Sequence, residues 1–147
     1  MMSIKQRIAK RWAKRAVKTT KKWALRPIKT QEDVLMDLVQ KAKNTAFGRD
    51  HDFAKINNYN AFASRVPVND YEGLRPYMDR VVAGEADVLW KGKPLYFSKT
   101  SGTTSGVKYI PISKESMPTH IKAAQNALYH YIYNSGDASF IDGKLIF

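Results

Sequence analysis

Eleven of the 25 lysines and arginines in this chain fall within residues 1–31 (Lys5, Arg7, Lys10, Arg11, Lys14, Arg15, Lys18, Lys21, Lys22, Arg26 and Lys29), and the first carboxylate is Glu32. A segment so charged cannot enter a core; the stripe that its charges leave free either packs on the body of the protein or meets a membrane surface. From Glu32 on there are 14 bases against 13 acids, so the net charge of +12 belongs almost wholly to the first stretch. Partner arguments drawn from a basic pI therefore apply to that stretch alone. The remainder is nearly neutral and carries the apolar and aromatic residues, 44% and 12% of the whole 147, that one domain needs to build a core. We read two parts: a basic amphipathic helix over residues 1–26 and a folded portion over 27–147.

On a helical wheel Ile4, Ile8, Trp12, Ala16, Thr20 and Trp23 share one side, and Arg7, Lys10, Arg11, Lys14, Lys18, Lys21 and Lys22 cover most of the other. Charges recur every two or three positions, which breaks up the ~7–15-residue apolar run of a secretory signal. No apolar run in the chain reaches the ~18 residues of a membrane span. An anionic membrane surface suits both sides of this helix; nucleic acid would use the charges and leave the apolar side without a partner. The expected location is cytoplasmic, peripheral to a membrane if the helix binds one. With no cysteine, disulfides, thiolate metal sites and cysteine nucleophiles are excluded, and His51, His120 and His130 lack the spacing of a zinc site.

Pro27 predicts the end of the first helix. A second is predicted after Thr30 as N-cap, with Val34, Leu35, Leu38, Val39 and Ala42 as its buried face and Gly48 as its stop. Residues 49–63 read as loop with a short helix near Tyr59–Ser64. Asp70 reads as a cap for a helix over Tyr71–Tyr77 that breaks near Pro76, followed by another over Met78–Ala83 ending at Gly84. Strand character marks Pro94–Phe97 and Lys108–Ile112. Ser113 is placed to cap a long helix to about Asn134, with Gly136 as its stop, and the closing "GKLIF" reads as the start of a buried strand. A chain that ends on an unpaired apolar strand is expected to be the N-terminal piece of a longer one. The fold class is α/β or mixed α+β, with helices leading into the first strands.

Between the two strand candidates stands "TSGTTSG", Thr100–Gly106, with Lys108 two residues on. Phosphate is held by converging backbone N–H groups, hydroxyl donors and a cation, and this stretch offers glycines, Ser and Thr hydroxyls and a lysine for those three tasks. It is neither a Walker A loop, because Gly102 and Gly106 are three residues apart and Lys108 does not follow a glycine, nor a G-x-G-x-x-G fingerprint. A plain hairpin turn has the same composition, so residue types alone leave both readings open. Asp70 with Glu72 reads as a cap and a surface charge before it reads as a catalytic carboxylate pair. Tyr129, Tyr131 and Tyr133 beside His130 read as core before they read as a pocket. Lys91, Lys93 and Lys99 either extend a positive field before the loop or are simply solvated.

The order "SKTSGTTSGVKYIP" resembles the phosphate-binding motif of acyl-adenylate-forming enzymes, and more closely that of the Gretchen Hagen family, the auxin-responsive acyl-acid amido synthetases with their bacterial relatives. "KAKNTAFGRDHDF" and "VPVNDYEGLRPYMDRVVAGEADVLW" resemble the same family's N-terminal portion in the family's order, from about residue 31 onward, with the basic segment outside the resemblance. The resemblance implies a ligase that activates a carboxylic acid with ATP and Mg2+, releases pyrophosphate, and passes the acyl group from acyl-AMP to an amine or thiol. It implies hydroxyl or backbone donors to phosphate from Thr100, Ser101, Thr103, Thr104 and Ser105, close backbone approach at Gly102 and Gly106, and a cation facing the β and γ phosphates at Lys108. The adenine, ribose and acyl motifs are expected beyond this chain, which alone would be inactive. The competing reading is a non-catalytic module whose basic helix contacts anionic membrane or nucleic acid. That reading gives Thr100–Gly106 no role, and the enzyme reading gives residues 1–26 none.

Overall fold

The computed structural model describes residues 2–100 and 106–143. Among these, six α-helices, two short 3-10 turns and one antiparallel pair of strands make the mixed α and β architecture that the sequence predicts. The chain divides into two compact units: Ile28–Met117, and a second built from the residues up to Pro27 together with those from Pro118 on.

In the second of these units, α1 (Ile4–Ala24) opens on Ser3, whose hydroxyl accepts the Gln6 N–H at 3.2 Å. The same hydroxyl donates to Asp142 at 2.8 Å, and the Gln6 amide donates to the other Asp142 oxygen, which ties the helix start to the 3-10 turn Ser139–Asp142. The packed face of α1 is Ala9, Ala13 and Val17. Ala9 and Ala13 meet Ile132 and Ala138, with Tyr129, Phe140 and Ile141 at the edge. Of the apolar stripe, Ile4, Ile8, Trp12 and Trp23 are exposed and Ala16 and Thr20 are half-buried, so the stripe as a whole is not the packed side. Small side chains let another backbone approach closely, and Ile4 lies about 180° around the helix from Ala13; a line of positions four apart advances ~40° per step and reaches the contact edge only at Ala16 and Thr20.

The long helix α6 (Met117–Ser135) begins four residues later than Ser113. Ser113 nevertheless caps it as expected: Ser113 and Ser116 exchange side-chain-to-backbone bonds of 3.0 Å, the reciprocal pattern of a capping box, and the Met117 N–H donates to the Ser113 carbonyl at 3.1 Å. Pro118 lies in the first turn, where its missing N–H costs nothing, and Gly136 ends the helix at φ +71°. Of the three late tyrosines only Tyr129 packs into the cluster, edge-on to Trp12 at 6.3 Å; Tyr131 and Tyr133 are exposed. Of the closing "GKLIF", residues 144–147 lie outside the described part.

In the unit Ile28–Met117, α2 (Pro27–Ala42) starts at the proline, three residues before the expected Thr30 cap. A fixed φ and no N–H suit the first helical position, so Pro27 both stops α1 and opens α2. Val39 and Ala42 are buried and Leu35 half-buried, whereas Val34 and Leu38 are exposed, so the buried face is narrower than expected. Gly48 stops nothing: it lies inside the short helix α3 (Ala46–Asp50). Thr45 caps that helix. Its buried hydroxyl donates to the Ala42 carbonyl at 2.7 Å and accepts the Gly48 N–H at 3.0 Å. A Cβ on Gly48 would sit 2.2 Å from the Ala42 oxygen, so glycine is what allows α3 to fold back against the end of α2. A 3-10 turn at Phe53–Lys55 and α4 (Tyr59–Arg65, capped by Asn58) follow and close a core of Val39, Ala42, Phe53 and Ile56.

One helix, α5 (Tyr71–Val82), replaces the two expected around Pro76. Asp70 caps it through the Gly73 N–H at 2.9 Å. Pro76 leaves without a partner only the carbonyl of Glu72, an exposed residue that water reaches, and the helix runs on. Its end is a Schellman turn: Gly84 at φ +89° donates to Val81, and Glu85 donates to Arg80, both at 3.0 Å. Met78 and Val81 face inward, Val81 with Ala46 and Val88 in a third cluster.

Candidate functional site

The two strands are β1 (Tyr96–Thr100) and β2 (Lys108–Ile112), paired antiparallel from Tyr96 opposite Ile112 to Thr100 opposite Lys108. Thr100–Gly106 is thus carried by a hairpin, as the turn reading expects. A reversal needs only ~2–5 residues, however, and seven, 101–107, separate the closing pair. Ser101, Gly102, Thr103, Thr104 and Ser105 lie outside the described residues. Thr100 ends β1 with its side chain exposed, and Gly106 takes φ +81° with open space where a Cβ would be. A backbone in the left-handed region with nothing crowding it is what lets a loop bring its amides up to a ligand.

Two contacts hold this hairpin within its unit. Phe97 packs against the cluster of Ala46, Val81 and Val88 and meets Tyr109 edge-on at 6.0 Å. On the far strand the Tyr109 N–H donates to the phenol oxygen of Tyr71, the first residue of α5, at 2.9 Å. Beneath Phe97, Ala46 and Phe47 donate to the carbonyls of Asp87 and Val88 at 2.8 and 3.0 Å. Asp87 also closes its own turn, accepting the Gly92 N–H at 2.8 Å and donating to the Gly92 carbonyl.

Alternation along the strands sorts the charges. Thr100 and Lys108 share one face of the hairpin, and Lys99 shares the other with Tyr109 and Phe97. Lys99 lies over the Tyr109 ring at 5.4 Å, on the face opposite Lys108. Lys108, half-buried, lies over the Tyr71 ring at 5.5 Å. One tyrosine thus touches both the cation beside the loop and the backbone that follows it. Lys91 and Lys93 are exposed.

The remaining candidates resolve into structural roles. Asp70 is a cap, and Glu72 pairs with Arg75 at 2.8 Å. His130 Nε2 lies 2.9 Å from the Thr20 hydroxyl, and His51 stacks on Phe47 at 4.1 Å. Tyr77 donates to Asp50 at 2.8 Å; burial and then that bond raise its pKa above the ordinary phenol value. Among the described residues no three of His, Asp and Glu cluster in a way that could hold a metal, and no helix is long and apolar enough to cross a membrane. The residue that sequence reasoning missed is Tyr71, because its partner lies 38 positions away.

The GH3 family N-terminal domain matches residues 16–144. The chain belongs to the GH3 (Gretchen Hagen) family. The match starts at Ala16, upstream of the resemblance read from about residue 31, and takes in the second half of α1. Among curated relatives, a jasmonoyl–L-amino acid synthetase of Nicotiana attenuata is 22% identical over 118 residues, 79% of this chain and 20% of that protein. An indole-3-acetic acid-amido synthetase of Arabidopsis thaliana, GH3.15, is 33% identical over 93 residues, 62% of this chain and 16% of that protein. A second from the same plant, GH3.2, is 30% identical over 89 residues, 59% and 16%. The GH3 chain described here spans a fifth or less of each. No solved structure matches.

Proposed function

We propose that this GH3 chain is the phosphate-binding part of an ATP-dependent acyl-acid amido synthetase, which joins a carboxylic acid to an amine through an acyl-adenylate. The observation that carries this reading is the hairpin: a loop longer than reversal needs, rich in glycine and hydroxyls, ending in a left-handed Gly106 and followed by a cation held at Lys108. The family match and relatives named as amido synthetases support it.

The chemistry places few demands on this segment beyond charge and position. Attack of a carboxylate on the α-phosphate gathers negative charge on the phosphate oxygens, and fixed donors stabilise that charge without reorganising. Ser101, Thr103, Thr104 and Ser105 would supply hydroxyls and amides, Gly102 and Gly106 the close approach, and Lys108 the countercharge toward the β and γ oxygens. Mg2+ suits such a site as a companion of the triphosphate, because it keeps several waters and binds phosphates readily. The donors here are hydroxyls, amides and an ammonium, which fit phosphate rather than the metal itself. Transfer to an amine then releases AMP.

ATP–pyrophosphate exchange tests the reading. A protein carrying this segment within the length of its relatives should exchange with some carboxylic acid, and the 147-residue chain alone should not. Replacing Thr103 and Thr104 with Val keeps bulk and removes donors; activity should fall at least about tenfold, since one well-placed donor is worth ~2.7–4 kcal/mol. Unchanged kinetics would return the loop to a mere turn.

A further inference from the structure

The proposed reaction assigns the first helix no role, and its two sides have different fates. Ala9, Ala13 and Val17 are buried, so the helix is already held along one side. Ile4, Ile8, Trp12 and Trp23 fall within about 100° of arc beside that packed face. They remain 75%, 49%, 53% and 51% exposed. Arg15 and Lys22 lie within this arc and Arg11 and Lys18 within about 40° of its Ile4 edge, and all four are exposed. Among the described residues no ion pair engages Arg11, Arg15, Lys18 or Lys22, and no acid lies in the α1 sequence.

We propose that this face docks the protein on an anionic lipid surface, with Ile4, Ile8, Trp12 and Trp23 entering the headgroup boundary and the four bases among and beside them reaching lipid phosphates and carboxylates. The inference is independent of the ligase reading. Each half of the face needs a different partner chemistry, and a bilayer interface supplies both: an apolar boundary where indole rings settle, and a negative potential over it. Nucleic acid satisfies the bases and wastes the strip. A protein partner that covers the strip would also have to bring the carboxylates that α1 lacks. The packed side fixes the helix so that the strip and the bases face outward together.

The experiment uses the whole 147-residue chain with vesicles of phosphatidylcholine alone and of phosphatidylcholine with phosphatidylserine, read by co-sedimentation and tryptophan emission. Trp90, half-buried in the other unit, serves as the silent background. The expected result is binding and a blue shift with the anionic vesicles only, reversed by salt. Arg11, Arg15, Lys18 and Lys22 changed together to Gln should lower partitioning at least about 100-fold. Trp12→Ser with Trp23→Ser should abolish the shift and lower partitioning about tenfold. All six positions are exposed, and circular dichroism of each variant checks that α1 still forms. Absence of binding to either vesicle would overturn the proposal and leave the strip to a protein surface. So would equal, salt-insensitive binding to both vesicles, or displacement from anionic vesicles by duplex DNA with an affinity that the tryptophan changes leave untouched.

Discussion

Removing one oxygen, by Tyr71→Phe, separates the two things that Tyr71 does for the hairpin. The phenol oxygen is the acceptor for the Tyr109 N–H at 2.9 Å, and the ring lies under Lys108 at 5.5 Å. Phenylalanine keeps the ring and loses the acceptor. A neutral hydrogen bond is worth ~0.5–1.5 kcal/mol net, and both residues are half-buried, so we take about 1 kcal/mol, which is about a fivefold change in a local opening equilibrium. The assay is hydrogen–deuterium exchange followed by NMR at the Tyr109 amide, which should exchange about fivefold faster. Tyr71→Leu also removes the cation–π contact, worth ~0.5–1 kcal/mol, and should loosen the strand by a further two- to fivefold. The Gly73 amide, bonded to Asp70 on the same helix turn, is the control and should not change. Unaltered Tyr109 exchange in Tyr71→Phe would refute the tether. A parallel rise at Gly73 would refute it as well, by showing that the helix cap, not the hairpin, had been lost.

Gly48→Ala drives a Cβ to 2.2 Å from the Ala42 oxygen and 3.0 Å from its carbon, both backbone atoms, and should destabilise the unit Ile28–Met117 by about 3 kcal/mol in urea unfolding. Gly106→Ala should cost ~1–2 kcal/mol because the left-handed backbone penalises a Cβ although space is open, whereas Gly106→Asn should cost clearly less; hairpin amide exchange reads the difference. The raised Tyr77 pKa means that the folded state favours the neutral phenol. Its contribution is therefore full below the unfolded value near 10 and is lost as pH rises through the higher folded value, and Tyr77→Phe should flatten stability over that alkaline window. The depressed Glu85 pKa, set first by the Arg80 hydrogen bond, acts at the other end: its contribution is present above the unfolded carboxylate value and fades as pH falls through the lower folded one. Urea midpoints of Glu85→Gln between neutral pH and acid should show this.

Elements were legible where a local rule decides them. The Asp70 cap, the Gly84 and Gly136 stops, the strand Lys108–Ile112 and the short helix near Tyr59 all follow from chemistry within about five residues, and the structure has each. The misplacements share a cause: one residue could serve two neighbouring elements, and only packing chose. Pro27 reads as a terminator, and the first position of a helix suits it equally. Gly48 reads as a stop, but its lack of a side chain serves contact with the Ala42 carbonyl. The inward face of α1 turned on which residues were small enough to meet Ile132 and Ala138, a property of the partner that no wheel contains.

The loop illustrates the opposite limit. Its composition could not separate a turn from a phosphate site, because the physical demands overlap: both want glycine for the backbone and short hydroxyls for local donors. Order along the chain carried more than composition, and the family match agrees with what order implied. Order says nothing of how the loop is held. Tyr71 and Tyr109 stand 38 residues apart, at the start of a helix and inside a strand, and each reads locally as an ordinary member of its element. Their bond fixes β2 one residue after Lys108, while Thr100 and Lys108 sit opposite each other at the two ends of the loop. A ligase of the proposed kind needs the cation and the amides held in register with each other, and this tether acts on that register without contributing a donor of its own to the loop.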